Sequence, residues 1–318
     1  MIDIKKIKWV KYGKYQGCQY HGNHQYNPPK PWGPWTKILG VVARCEGNHD
    51  TVVSYDNTAI TWGFMQWTFT SGRLQKLLES FKSIPFYDFS DETAHPMYTL
   101  FDVKCPQFSE FGFHIRGGRF IDRSLKVVFE PGKDNKKMND ICLGRVAFPN
   151  QPQKQKTFAK RLAAVFGDLG SYDEVAAAQI QFAKQELKCS LDYTRKPLGE
   201  IGTIRNLISQ SDKSWELPIA AVFFNLWQNS PKGAYMLYKN AWKDAKKRGI
   251  SDRTGHLIEG SENGFLNLVW ERVNKTKFAN WGWNSKRYKA NPRGVKPRVY
   301  RIKLAIKEFY GIDLPFIK

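Results

Sequence analysis

Glu46 and the run Tyr55-Asp56-Asn57-Thr58-Ala59-Ile60-Thr61-Trp62-Gly63-Phe64-Met65-Gln66 are the residues of this chain whose types and spacing could do chemistry. Glu46 closes a segment with helical spacing, and Asp56 follows ten residues later in a stretch of strand-forming residues broken by a turn pair. A carboxylic acid at a helix end, facing a carboxylate on a hairpin, suits hydrolysis of a glycosidic bond. One group protonates the leaving oxygen, and the other serves the anomeric side. Asp50 is the alternative to Asp56 as the base.

The elements that must position these groups can be read from periodicity. Trp35, Ile38, Leu39, Val42 and Cys45 recur at three- and four-residue steps, which predicts a helix with Glu46 on the same face as Val42 and Leu39. That placement at the core rim is expected to hold the Glu46 carboxyl protonated, while a turn carboxylate among Asn and Thr groups stays ionised. Val52 to Thr68, rich in Val, Thr, Tyr, Ile and Trp and broken at Asp56-Asn57, predicts a small β-hairpin or wing. Ser71 is then expected to cap a helix with an apolar face of Leu74, Leu77, Leu78 and Phe81.

Four regions follow from the composition along the chain. Residues 1–32 read as an irregular arm, 33–86 as the helix and β-wing, and 87–150 as an insertion with some β-structure. Residues 151–318 read as a helical lobe that completes the cleft, with helices near 155–168, 172–188, 198–210, 216–229, 232–248, 262–275 and 295–310. The expected class is α+β, mainly α-helical.

The segment from about residue 35 to 80 resembles the lysozyme-like superfamily of glycoside hydrolases. The residues that carry the resemblance are Glu46-Gly47, Asp56, Thr61-Trp62-Gly63 and Gln66, which fall in the order of a phage-type lysozyme motif. Thr70-Ser71-Gly72 is similar to a chitosanase motif, and Gly63-Phe64-Met65-Gln66 to one of lytic transglycosylases. The resemblance implies a two-lobed fold with a β-wing beside the catalytic helix. It also implies Glu46 as general acid, Asp56 as the base that activates water, and Thr61 as the hydroxyl that positions that water. Carboxyls roughly 6.5–9.5 Å apart would give inversion at the anomeric carbon.

Further residues are candidates for substrate binding. Tyr55, Gln66 and Trp67 flank the motif, Asn225 and Gln228 form part of a polar stripe on a helix, and Trp281 and Trp283 belong to an aromatic loop. No cofactor is expected. The five cysteines are scattered and read as small apolar residues, and His21 and His24 read as surface-loop residues, so no metal site is expected.

Fifty Lys plus Arg against 29 Asp plus Glu give a formal charge of +21, which predicts a polyanionic partner. From Ser285 to Leu304 the chain carries Lys286, Arg287, Lys289, Arg293, Lys296, Arg298, Arg301 and Lys303 with no acid, a candidate docking surface for anionic envelope polymers. Site and charge together favour a peptidoglycan-degrading muramidase of endolysin type. A chitosanase would meet a cationic substrate with a cationic protein, and a lytic transglycosylase would not need Asp56. A non-enzymatic basic binder of nucleic acid or envelope explains the charge but leaves the motif a coincidence, so nucleic acid is not the favoured partner. With neither a signal-like apolar stretch nor a membrane span in the sequence, the expectation is cytoplasmic synthesis and action on the wall after holin-type release, virion delivery or injection.

Overall fold

A computed structural model describes residues 2–12, 14–28, 32–55, 58–88, 92–97, 114–116, 119–122, 124, 126–128, 130, 132–193, 202–211, 213–251, 257, 262–275 and 298–314. The protein is α+β, with long helices and small antiparallel sheets. Two compact units divide the chain. The first comprises Met1–Asn27 and Glu46–Phe182, the second Pro28–Cys45 and Ala183–Lys318.

The first unit is built on a five-stranded antiparallel sheet, β1 (Lys8–Tyr12), β2 (Tyr15–Tyr20), β3 (Val52–Val53), β4 (Thr61–Trp62) and β5 (Trp67–Thr68), hydrogen-bonded in that order. The N-terminal arm is therefore not irregular throughout. Lys8 to Tyr20 folds into a hairpin, and Gln19 and Tyr20 pair with Val53 and Val52, extending the β-wing. The hairpin carries no clean alternation for the sequence to show: Lys8 and Lys11 are exposed, Val10 is buried, and Gly17 to Tyr20 are buried one after another. The expected Val52–Thr68 hairpin or wing consists of three two-residue strands.

Helix α2 (Arg73–Ser80) buries Leu74, Leu77 and Leu78 as its spacing predicts. Gly72, with φ of 74°, takes the N-cap position expected of Ser71, whose Oγ instead accepts the Arg73 amide at 3.3 Å. The 87–150 region does contain β-structure. Its hairpins are β6 (Pro85–Asp88) with β7 (Thr93–Pro96), and β8 (His114–Arg116) with β9 (Arg119–Ile121). The region belongs to the first unit and does not form a body of its own. Phe120 of β9 packs edge-on against Phe69, and Phe86 of β6 against Tyr172.

Among the described residues, α3 (Asn135–Cys142), α4 (Pro152–Gly170) and the first half of α5 (Asp173–Asp192) also belong to this unit. Helix α4 starts with Pro152, tolerated because the first helical N–H has no intrahelical partner. It buries Phe158, Leu162, Val165, Phe166 and Leu169, and Phe166 meets Trp62 of the sheet edge-on.

The second unit holds most of α1 (Thr36–Glu46), the rest of α5, and α6 (Ile204–Ile208), α7 (Lys213–Asn229), α8 (Pro231–Lys247), α9 (Glu262–Asn274) and α10 (Arg298–Tyr310). Helix α8 packs on α7 and α9 around Phe223, Tyr238, Phe265 and Trp270. The Tyr238 hydroxyl donates to the Ile219 carbonyl at 2.7 Å, which satisfies a group that burial would otherwise penalise. Helix α10 lies against α1: a Cβ added at Gly40 would come within 2.6 Å of the Phe309 ring. Among the described residues, no helix is long and apolar enough to cross a membrane.

Candidate active site

Glu46 is the last residue of α1, and it is half-buried with Oε1 shielded from solvent. The helix buries Ile38, Leu39, Val41, Val42 and Cys45, so the expected face is the observed one. Immediately after Glu46 the chain turns at Gly47, φ 151°, where a Cβ would lie 2.7 Å from the Thr51 Oγ1. That hydroxyl accepts the Asn48 amide at 2.8 Å and donates to the His21 carbonyl, while the Thr51 carbonyl accepts the Gly63 amide at 3.0 Å. The segment following Glu46 is thereby fastened to the end of β4, two residues from Thr61.

Thr61 lies on β4, paired with Val53 on one side and Thr68 on the other. It is buried, and its Oγ1 is 2.6 Å from the Thr58 Oγ1. A two-hydroxyl pair keeps at least one lone pair available for a further donor. Asp56, the expected base, lies outside the described residues. Tyr55, just before it, is half-buried.

Asp50 has a different place from the one expected of an alternative base. It is 2 % exposed, and its oxygens accept the backbone amides of Asn23 at 2.9 Å and His24 at 3.0 Å. Its charge also helps to raise the Tyr20 hydroxyl above its usual range, after burial itself. A carboxylate so enclosed fastens the 21–24 segment to the loop after Glu46 and is out of reach of a polymer. Sequence spacing carries no information about burial of this kind.

Trp67, expected on a cleft wall, is fully buried between Phe64 and Phe182, so it is a core residue. Gln66 is half-buried in a turn with φ of 53°, and its Nε2 donates to the Gly63 carbonyl at 2.9 Å. Its Oε1 end is the part a sugar could use. Asn225 and Gln228 belong to α7 of the second unit. Asn225 is wholly buried within that unit, which removes it from substrate contact, whereas Gln228 is half-buried. Trp281 and Trp283 lie outside the described residues.

No family model, curated protein or solved structure matches this chain.

Behind the Glu46–Thr61 segment sits a histidine and glutamine cluster, to which His24, expected as a surface-loop residue, belongs half-buried. His49 Nδ1 donates to the Gln179 Oε1 at 3.0 Å, and Gln179 Nε2 donates to the His49 carbonyl at 3.0 Å. Burial pushes the His49 imidazole down to about 4, opposed in part by the Gln179 bond. His24 lies beside it, ring centroids 5.3 Å apart, with Nδ1 2.9 Å from the Gly170 carbonyl and Nε2 3.2 Å from Asp173. Gly170 is required there, because a Cβ would lie 2.5 Å from the His49 carbonyl oxygen. The available signal was His49 itself, next to Asp50 in a segment otherwise read only for its carboxylates.

The basic stretch is partly engaged within the chain. Arg301 donates to the Cys45 carbonyl at the end of α1, and Lys303 pairs with Asp313 at 3.2 Å; both are half-buried. These two residues serve packing rather than the expected docking surface. Arg298 begins α10, and Lys286, Arg287, Lys289, Arg293 and Lys296 lie outside the described residues. Among the described residues no group of three or more His, Cys, Asp or Glu is placed to hold a metal ion. Cys18, Cys45 and Cys142 are buried thiols, as a small apolar role requires, while Cys189 is exposed. Burial raises Cys18 to about 12, so it stays protonated and inert.

Proposed function

We propose that this protein is a lysozyme-like glycoside hydrolase that cleaves β-1,4 bonds of peptidoglycan, with Glu46 as the proton donor. The observation that carries the reading is the position of Glu46. It ends a buried helix with one carboxyl oxygen shielded, and the loop behind it is bonded to a small antiparallel sheet that bears the Thr58–Thr61 hydroxyl pair. An acid held at the rim of a core and fixed relative to a hydroxyl-bearing strand is suited to protonating a glycosidic oxygen while water is held nearby.

In this reading Asp56 deprotonates the attacking water, and Thr61, through its pair with Thr58, orients it. The products are then a reducing sugar end and an inverted anomeric centre. Gln66 supplies an amide to a sugar hydroxyl or acetamido group. The formal charge of +21 favours the anionic polymers of a bacterial envelope over a cationic polysaccharide such as chitosan.

The test is loss of turbidity of purified peptidoglycan with the parent protein and Glu46→Gln side by side, with mass analysis of the fragments. Clearing by the parent alone, with reducing ends, supports the proposal. Anhydro ends would make the reaction a transglycosylase one, and equal behaviour of the two proteins would refute a role for Glu46.

A further inference from the structure

The second unit contains a cavity of about 600 Å³ between α1, α5, α6 and α7, lined entirely by residues of that unit. Its volume is within the usual range for a small-molecule site, roughly 300–1,000 Å³. The floor is apolar, formed by Ile38, Leu187, Leu191, Ile208, Leu217 and Ala220. The remaining lining is charged: Lys184, Lys188 and Arg205 against Asp192 and Glu216.

These charges are not equivalent. Asp192 is taken up by Arg205, which holds it through Nε at 2.5 Å and Nη2 at 3.1 Å, and this pair holds the Asp192 carboxyl below its usual range. Lys188 adds a weaker attraction to Asp192, and it lies one helical turn from Lys184 on α5, both exposed and both lining the cavity. Like charges at that spacing repel on a helix. Lys184 is drawn over the Trp35 ring, 4.7 Å from its centroid, so its ammonium is positioned at one edge of the apolar floor. An apolar floor bordered by two exposed lysines complements a molecule with an apolar body and one anionic end.

We propose that this cavity binds a medium-chain monocarboxylate, its carboxylate between Lys184 and Lys188 and its hydrocarbon chain on Leu187, Leu191 and Ile208. This site does not depend on the glycosidase reading. A bound carboxylate makes charge-assisted contacts with the two lysines, and the chain covers side chains that otherwise face an open cavity.

The experiment is calorimetric titration of the full chain with decanoate, and with decyltrimethylammonium as the cation of equal chain length. Saturable one-to-one binding of decanoate is expected, weakened about tenfold or more in Lys184→Ala/Lys188→Ala, consistent with loss of a charge-assisted contact. Ser209→Trp, at an exposed position of the lining, is expected to block binding while leaving the thermal transition unchanged. The proposal is overturned if decanoate gives no saturable heat, if the cationic amphiphile binds equally well, or if Ser209→Trp binds like the parent.

Discussion

His49 and Gln179 bond to each other twice, ring to amide oxygen and amide nitrogen to main-chain carbonyl, each at 3.0 Å. The pair joins the loop after Glu46 to α5 of the same unit, and it uses both ends of a glutamine that is wholly buried. The adjacent Gly63, with φ of 78°, is held so close that a Cβ there would lie 2.8 Å from the Gln179 Oε1.

Replacing Gln179 by Leu leaves the His49 carbonyl and Nδ1–H buried without this partner. The expected loss of stability is about 2–6 kcal/mol, from two unmet polar groups at about 1–3 kcal/mol each. Urea denaturation of parent and variant measures it.

His49 makes stability depend on pH with a defined sign. Its folded value of about 4 lies below the ordinary 6.5, so between those values the unfolded chain takes up a proton that the folded chain refuses. This contribution is absent above pH 6.5. As pH falls from 6.5 to 4 it removes stability, up to about 3 kcal/mol, and it levels off below. His49→Gln is expected to lack this component, measured as the difference between the two proteins' thermal midpoints across that range.

Asp50 and Asp56 should separate cleanly. Asp50→Ala removes the acceptor of the Asn23 and His24 amides and is expected to destabilise by about 2 kcal/mol or more. Asp56→Asn is expected to keep the thermal midpoint of the parent and to lose peptidoglycan hydrolysis. An Asp50 variant that folds like the parent but is inactive would reverse the assignment.

Arg301 binds the Cys45 carbonyl, one residue before the proposed acid. Arg301→Gln is expected to loosen the end of α1 and lower kcat about ten- to a hundredfold through misplacement of Glu46, with binding to the wall unchanged. If instead wall binding falls and kcat holds, Arg301 acts as an external polyanion contact.

Much of the framework was legible in the sequence because it rests on local periodicity. The apolar steps from Trp35 to Cys45 gave α1 and placed Glu46 at its end, and similar spacing marked α2, α4, α5, α7, α8, α9 and α10. The β1–β2 hairpin was less legible, since its lysines and glycine look like loop chemistry until Val52 and Val53 supply a strand to pair with.

By itself, then, the sequence determined most of the helices though not α3, the position of Glu46 on α1, the β-forming character of residues 52–68, and the strong positive charge. Only the tertiary structure decided which polar groups face inward. Asp50 is consumed by two main-chain amides 26 and 27 residues away, Gln179 reaches His49 across 130 residues, and Trp67 is enclosed by Phe64 and Phe182. Burial and hydrogen-bond partnership between distant segments are set by how elements pack, and residue type and spacing do not encode them locally.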